Sequence, residues 1–323
     1  MALANQEVLV NAKQVRLTLT VCFTLIALPV LSAHEPPADS AAPVHMVVTA
    51  EPHDGAKVPV INSTDVMVYE GRVRDQVAEW IPAQGDHAAL EFFVLLDDSS
   101  TSELATQFPD IKKFITEQPP TTKIGIAYMQ NGVARIQQNL TSDHDKAVKA
   151  IRLPLGYYGA NASPYFSLSD LVKKWPHDDA RHEVLMITDG FDPYYGIGDL
   201  LDPYLASAIE DAQRAGVIVS AIYQPGVGHI GRSYWLSYWG QLYLAKLAEE
   251  AGGQAYYIGF TGPAPDFNPY LNDISKRLNQ QYILGFTPVP QKKAGMRPVK
   301  LRTELHNVDL IGASRVYVPA NAQ

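Results

Sequence analysis

The sequence predicts an α/β fold: a doubly wound, mostly parallel sheet with one antiparallel edge strand, together with a small β domain built from both ends of the chain. Two observations predict this. Between residues 88 and 288, short apolar runs alternate with segments whose apolar residues recur every three or four positions, as strands and helices do in such a sheet. Residues 45–82 and 299–318 instead alternate as half-exposed strands do, without a helical pattern.

The first residues predict a secretory signal peptide over 1–33. Two basic residues precede an apolar run at 17–31, and small residues follow it. We therefore expect a secreted or periplasmic protein, with a Pro/Ala-rich linker at 34–44. The alternative is an uncleaved N-terminal anchor, and this segment is the chain's one suggestion of membrane attachment.

Composition excludes several classes of protein. The chain has 323 residues, of which 46% are hydrophobic and 19% charged, so a sizeable core is expected rather than disorder. The formal net charge of -8 provides no basic surface for phosphate backbones, so we expect no nucleic-acid partner. The single cysteine, Cys22, lies within the signal segment, so the mature chain would contain no disulfide.

The segments 45–87 and 289–323 flank the α/β pattern and predict strands only. A tight turn is expected at Glu70-Gly71, between two strands of the first segment. We expect the two segments to pair with each other. The α/β domain at 88–288 would then be an insertion in a small β domain.

The α/β domain is expected to begin with a buried strand at 91–96 and a helix at 102–116. The next strand, 123–129, is followed by Asn131-Gly132, a strong hairpin signal, so the segment after it becomes the antiparallel edge. Further helices are predicted at 143–151, 168–175, 204–215, 238–250 and 270–279, and further strands at 183–188, 217–223, 255–260 and 282–286.

A run of carboxylates and hydroxyls follows the first buried strand: Asp97-Asp98-Ser99-Ser100-Thr101-Ser102. The carboxyl end of such a strand is where open α/β sheets bind their ligands. All these side chains offer oxygen atoms, the donors that Mg²⁺, Mn²⁺ and Ca²⁺ prefer. The other interpretation is a polar loop in which a Ser or Asp caps the next helix.

Two later segments reach the same edge of the predicted sheet. Ser163-Pro164 lies in the loop at 159–167, and Thr188-Asp189-Gly190 ends a buried strand. With Asp97-x-Ser99-x-Thr101 they resemble a von Willebrand factor A (VWA) domain over roughly residues 88–288. That family marks its metal-ion-dependent adhesion site (MIDAS) with Asp-x-Ser-x-Ser, a loop Thr and a Thr-Asp-Gly turn. The chain is also similar to the bacterial, acidobacterial-type VWFA-related proteins.

The resemblance implies a Rossmann-like sheet and a divalent-cation site, with Mg²⁺ (or Mn²⁺ or Ca²⁺) as its cofactor. The implied metal ligands are Asp97, Ser99, Thr101, Ser163 and Asp189. Two of them depart from the family pattern, since Thr101 replaces a serine and Ser163 replaces a threonine. Both keep a hydroxyl donor.

A second register, Asp98-x-Ser100-x-Ser102, matches the family motif literally. We favour the register led by Asp97, because that residue directly follows the buried strand. Both registers stay open at the level of sequence.

The implied function is a protein-binding module in adhesion or assembly, whose partner protein supplies a Glu or Asp to the metal. The alternative is a metal-free structural scaffold with a degenerate site. We do not expect an enzyme, because metal-assisted hydrolysis would need a positioned base and only Asp98 or Asp192 lies near enough in sequence. No small-molecule substrate is evident.

Two further segments attract attention. The expected loop at 226–240 contains His229, Tyr234, Trp235, Tyr238 and Trp239, and exposed aromatic residues are typical of recognition surfaces. The segment 177–182 begins and ends with histidine and includes two aspartates, which we interpret as a solvated charge cluster rather than a metal site.

Overall fold

The computed structural model describes residues 43–53, 57–157, 163–176, 178–195, 202–226, 234–260, 262–290 and 293–320, which all belong to one compact unit. The predicted signal peptide and nearly all of the linker lie outside the described residues. Within the described residues, no helix is long and apolar enough to cross a membrane.

Six strands form the α/β sheet in the ranges that the structure describes. They are β4 (Leu90–Asp97), β5 (Thr122–Gln130), β6 (Val133–Thr141), β7 (Arg181–Thr188), β8 (Val217–Tyr223) and β9 (Ala255–Tyr256). Their order across the sheet is β6-β5-β4-β7-β8-β9, and only β6 runs antiparallel to its neighbour. Every residue of β4 is buried, because the strand is central and both of its faces are covered.

Helices cover the two faces of this sheet. They are α1 (Phe108–Thr116), α2 (His144–Lys149), α3 (Pro164–Lys174), α4 (Pro203–Ala215), α5 (Tyr234–Glu250) and α6 (Asn268–Leu278). Residues of α3, α4 and α5 form one core with the sheet, whereas residues of α1, α2 and α6 form the other. The structure therefore supports a doubly wound α/β fold, as the sequence predicts.

The helix expected over 102–116 consists of two parts. Ser102–Gln107 is a 3-10 helix, and α1 begins only at Phe108. Pro109 explains the break, since proline lacks an N–H and is favoured in the first turn of an α-helix.

A second sheet, with six strands in the part of the chain that the structure describes, contains strands from both flanking segments. Its members are β1 (Val44–Pro52), β2 (Val66–Glu70), β3 (Val73–Pro82), β10 (Gln281–Thr287), β12 (Lys300–Thr303) and β13 (Val308–Ile311). Their order is β12-β2-β3-β10-β1-β13, so β1 pairs with β13 and β2 with β12. Two short strands, β11 (Gly295–Pro298) and β14 (Arg315–Val318), pair separately.

The position of β10 differs from our expectation of a last strand in the α/β sheet. It pairs antiparallel with β1 and β3 in the second sheet. Leu284 and Phe286 are buried in the core of that sheet, whereas Ile283, the residue before Leu284, is only half-buried. This one-sided pattern is typical of an antiparallel strand, and the short sequence run did not distinguish it from a buried parallel one.

The hairpin between β5 and β6 has the predicted turn. Asn131 and Gly132 both have positive φ angles, of 52° and 77°. That is the conformation in which Asn-Gly joins two adjacent strands. The turn places the tip of the hairpin beside the end of β4, where the candidate site lies.

Candidate metal centre

Asp97 is the last residue of β4, and its carboxylate lies among hydroxyl groups. Its Oδ1 accepts hydrogen bonds from the Ser99 backbone N–H at 2.8 Å and the Ser99 hydroxyl at 2.6 Å. Its Oδ2 accepts a third from the Thr188 hydroxyl at 2.6 Å. A carboxylate has about four lone-pair sites, so these bonds orient Asp97 and leave it some acceptor capacity.

Asp189 follows β7 and lies close enough to Asp97 for the two carboxylates to repel each other. Burial, together with this repulsion, raises the pKa of Asp97 to about 6. No lysine, arginine or histidine pairs with Asp97 in the described part of the chain. A metal ion at this point would reverse the sign of the local electrostatics and favour the ionised carboxylate.

Asp98, the next residue, has a different environment. The Arg152 guanidinium donates to both of its oxygens, Nη1 to Oδ1 at 2.6 Å and Nη2 to Oδ2 at 2.8 Å. The Leu155 N–H and the Gln130 amide donate to the same carboxylate, at 3.0 and 3.3 Å. The charge of Asp98 is therefore neutralised by Arg152, and its carboxylate oxygens accept four hydrogen bonds from described residues. Asp97 accepts three hydrogen bonds and has no such counter-charge in the described structure.

The other members of the second register do not gather around Asp98. Ser100 is fully buried, and its hydroxyl has no hydrogen-bond partner among the described residues. Ser102 is exposed in the first turn of the 3-10 helix. No hydrogen bond joins these three side chains in the described structure, whereas Asp97 and Ser99 are bonded directly.

Thr101 precedes the 3-10 helix but does not cap it with its side chain. Its hydroxyl oxygen is buried and has no hydrogen-bond partner among the described residues. A buried polar group without a partner costs about 1–3 kcal/mol. A neutral oxygen donor in this state, four residues after Asp97 in the same loop, fits a hard divalent cation.

Ser163 lies at the start of α3 and is fully buried. Its hydroxyl donates to Asp192 Oδ2 at 2.7 Å and accepts weakly from the Phe166 N–H at 3.4 Å. Ser163 is thus a helix cap and also the partner of a buried carboxylate. The structure brings it to the loop that follows Asp189, and no hydrogen bond connects it to Asp97.

The turn that carries Asp189 is packed tightly against α5. Gly190 has a φ of 69°, and a Cβ at this position would lie 2.4 Å from the Gly240 carbonyl oxygen. A Cβ on Gly240 would lie 2.1 Å from the Asp189 carbonyl oxygen. Tyr165 of α3 donates to the Gly190 carbonyl at 2.6 Å. Helices α3 and α5 therefore set the position of Asp189.

A pocket of about 400 Å³ opens beside Asp97. Its walls come from the end of β4, the β5–β6 hairpin, the segment after Arg152 and helix α3. The residues that line it are Asp97, Asp98, Ser99, Met129, Gln130, Asn131, Gly132, Arg135, Leu155, Tyr157 and Ser167. The candidate centre is thus accessible from one side.

Sequence reasoning did not assign a role to several residues of this region. Thr188 binds Asp97, Arg152 neutralises Asp98, and Asp192 holds Ser163. Gln224, at the end of β8, is fully buried, and neither atom of its amide has a partner in the described structure. Thr188 could have been found, because it belongs to the Thr-Asp-Gly turn, whereas Arg152 lies 54 residues from Asp98 and has no sequence signal.

A second group of potential ligands lies at the opposite end of the sheet. Side-chain atoms of Glu91, Asp178 and His182 lie within 4.8 Å of one another. Lys123 already binds Glu91 at 2.9 Å, and Trp175 donates to its other oxygen at 2.8 Å. An ammonium group in this position opposes a metal ion, so we interpret the group as an ion-pair network. His177 lies outside the described residues.

The aromatic residues expected in a loop belong instead to the first turns of α5. Tyr234, Trp235 and Tyr238 are exposed and contact one another, while Trp239 packs against the core. His229 lies outside the described residues.

Solved VWA domains are among the structures that this chain resembles, as its motifs predict. An aerotolerance-related membrane protein from Bacteroides fragilis, with multiple mutations to serines, matches at 17% identity and a TM-score of 0.42, over 59% of this chain and 99% of that chain. The SpRpn10 VWA domain matches at 16% identity and 0.38, over 58% and 95%. The ArnB paralog VWA2 from Sulfolobus acidocaldarius matches at 8% identity and 0.37, over 86% and 76%.

No protein-family model matches the sequence, and the comparison with curated proteins found no match.

Proposed function

We propose that this protein is a VWA-type binding module that uses a divalent cation to take up a carboxylate from a partner protein. Asp97, Ser99, Thr101, Ser163 and Asp189 would hold the cation, with Mg²⁺ the best match to this set of oxygen donors. When bound, the cation would supply a positive charge, and a partner's Glu or Asp could complete its coordination. The task is adhesion or assembly, and it requires no bond to break.

One observation carries this proposal. Asp97 is 7% exposed, is repelled by Asp189 and has no positively charged partner among the described residues. A buried carboxylate in such surroundings destabilises the folded protein unless a cation accompanies it. The buried hydroxyls of Thr101 and of its neighbour Ser100 both lack a partner among the described residues, which supports a ligand in this loop.

The rival function is a metal-free scaffold, which one contact favours. Ser163 donates its hydroxyl proton to Asp192, so a structural role already accounts for this residue. A hydroxyl oxygen still has a second lone pair for a cation while it donates its proton elsewhere. The contact with Asp192 is therefore compatible with both functions.

Two contacts support binding rather than hydrolysis. Asp98 is held by the Arg152 guanidinium, and Asp192 accepts from Ser163 and from the N–H groups of Tyr194 and Tyr195, at 2.8 and 3.2 Å. Both candidate bases thus have structural tasks. A general base must be within reach of the proton that it removes and free to accept it.

The cellular location belongs to the proposal as well. The signal segment at 1–33 predicts a secreted or periplasmic protein. In such a compartment, a weak site would need roughly millimolar Mg²⁺ or Ca²⁺ to be occupied. We also propose that the second sheet acts as a small β domain that carries the α/β domain, with its first and last strands paired.

Thermal unfolding of the purified protein with EDTA, Mg²⁺ or Mn²⁺ tests the metal. A cation at a hundred times its Kd should stabilise the folded protein by about 2.7 kcal/mol. Asp97→Asn should remove the shift and leave the fold, as judged by circular dichroism.

The matched control is Asp75→Asn, which removes another buried aspartate whose pKa is raised to about 6, in the second sheet. It should keep the metal shift. Identical melts with EDTA and with millimolar cation, together with no heat of binding by calorimetry, would refute the proposal in favour of the scaffold. Loss of the shift in Asp98→Asn but not in Asp97→Asn would assign the site to the other register.

A further inference from the structure

The pocket beside Asp97 has one wall that the proposed metal site does not use. Arg135 lies on β6, the edge strand, and lines the pocket together with Asp97 and Ser99. Its side chain is exposed, and it forms no hydrogen bond or ion pair with any described residue. The pocket therefore contains a guanidinium group that no described carboxylate neutralises.

The register of the hairpin shows which face Arg135 occupies. Arg135 lies directly opposite Tyr128 of β5, and directly opposed residues of an antiparallel pair project to the same face. The Tyr128 ring also contacts the Arg152 guanidinium, whose carbon lies 3.9 Å from the ring centroid. Arg135 and Arg152 thus share a face at the edge of the sheet.

The two arginines differ in charge balance. Arg152 is neutralised by Asp98 in a bidentate pair, whereas Arg135 keeps its full positive charge. The other acidic group of the pocket, Asp97, faces Ser99 and Thr188. A ligand that binds this pocket therefore meets an unbalanced positive charge at Arg135, in addition to the cation that we propose at Asp97.

The remaining wall is apolar and exposed. Leu155 and Tyr157 line the pocket and are 49% and 56% exposed. A volume of about 400 Å³ suits a few side chains of a short segment. A pocket that contains polar anchors and also an apolar wall suits an extended peptide better than a single carboxylate.

We infer that the partner presents a diacidic peptide segment, in which one carboxylate reaches the cation and a second pairs with Arg135. This inference rests on the proposed function, since the first carboxylate needs the metal. Arg135 is the residue that would set specificity. Its planar guanidinium can donate two parallel hydrogen bonds to one carboxylate, which a lysine cannot do.

Capped peptides test this inference. Pairs of probes would carry either Glu and Glu or Glu and Gln, separated by no, one or two glycines, and would be titrated in 5 mM MgCl₂ and in EDTA while the amide NMR spectrum is recorded. We expect one spacing to bind roughly fivefold more tightly with two glutamates than with one, in Mg²⁺ only.

The variant Arg135→Glu should abolish that preference and keep the Mg²⁺ shift in melting temperature. Arg135→Lys should retain only part of it. Arg74→Glu, at another exposed arginine without a described partner, on β3 of the second sheet, should bind as the wild type does.

Each outcome decides a separate point. If Mg²⁺ shifts the melt but no probe prefers two glutamates, or no probe binds at all, the inference is wrong and the proposed function survives. The same holds if the preference persists in Arg135→Glu. If Mg²⁺ has no effect on the wild type, the proposed function fails and the inference fails with it.

Discussion

The two ends of the α/β sheet both contain buried carboxylates, but at the carboxyl ends of the strands one of them, Asp97, has no counter-charge among the described residues. At the amino ends of the strands, Glu91 accepts from Lys123 and from the Trp175 N–H. Close by, Arg181 donates to the Leu278 and Ala88 carbonyls at 3.0 and 3.1 Å. At the carboxyl ends, Asp97 has only hydroxyl and backbone donors and a neighbouring carboxylate among the residues that the structure describes.

This difference distinguishes a structural ion-pair network from a binding site. A buried charge that has its counter-charge within the chain stabilises the fold against rearrangement, and breaking the pair is costly. A buried charge without one is tolerated where a ligand supplies what is missing. The predictions below test this comparison, from the largest expected effect to the smallest.

Glu91→Ala should destabilise the protein by about 3 kcal/mol, because the change leaves Lys123 and the Trp175 N–H without their acceptor. Urea unfolding monitored by tryptophan fluorescence would measure the loss. Glu117→Ala, at an exposed glutamate 3.9 Å from Lys113, is the matched control and should change stability by less than about 0.5 kcal/mol. A loss below about 1 kcal/mol at Glu91 would contradict the structural role of the amino end.

Gly240→Ala should cost about 2 kcal/mol and weaken Mg²⁺ binding, because the new Cβ would overlap the Asp189 carbonyl and push the turn away. Chemical unfolding and calorimetry would measure the two effects. Gly262→Ala, where a Cβ meets nothing within 4 Å, should do neither. Unchanged Mg²⁺ affinity in Gly240→Ala would mean that the position of Asp189 does not matter for the site.

Asp97→Asn should leave the metal-free protein at least as stable as the wild type, with a gain of up to about 1 kcal/mol in EDTA. The reason is that the amide removes the repulsion with Asp189 and keeps an oxygen acceptor for Ser99. Urea unfolding in EDTA is the measurement. A loss as large as that of Glu91→Ala would mean that the two ends do not differ as we describe.

Asp75 provides a pH-dependent comparison outside the α/β sheet. Burial and the nearby Glu70 raise its pKa from 3.8 to about 6, while Arg297 lowers it. The folded protein therefore holds this proton more tightly than the unfolded chain does, and stability falls as the pH rises from about 4 to 6.

Asp75→Asn cannot ionise, so it should be more stable than the wild type at pH 7.5, by about 1 kcal/mol, and equal to it at pH 4. Melting temperatures measured across this range would show a gain that grows with pH. A gain of the same size at pH 4 would point to packing rather than to ionisation.

Much of the architecture was predictable, because the period of the apolar residues reports which faces of an element are buried. The run at 92–96 has no alternation, and β4 is central and buried on both faces. The Asn131-Gly132 turn is equally local, since its two positive φ angles require residue types that tolerate them. The membership of β10 was not predictable, because strand pairing depends on residues far away in the chain.

For the site, the sequence by itself determined the oxygen-rich chemistry and the edge of the sheet at which it lies. Parallel strands bring their carboxyl ends to one edge, so Asp97 and Asp189 had to approach each other. Only the tertiary structure decided which aspartate is neutralised, since Arg152 binds Asp98 from 54 residues away. Likewise, it alone assigned Thr188 to Asp97 and Ser163 to Asp192. Whether a charge is neutralised depends on distances in the folded protein, because a counter-charge acts over a few ångströms whatever its separation along the chain.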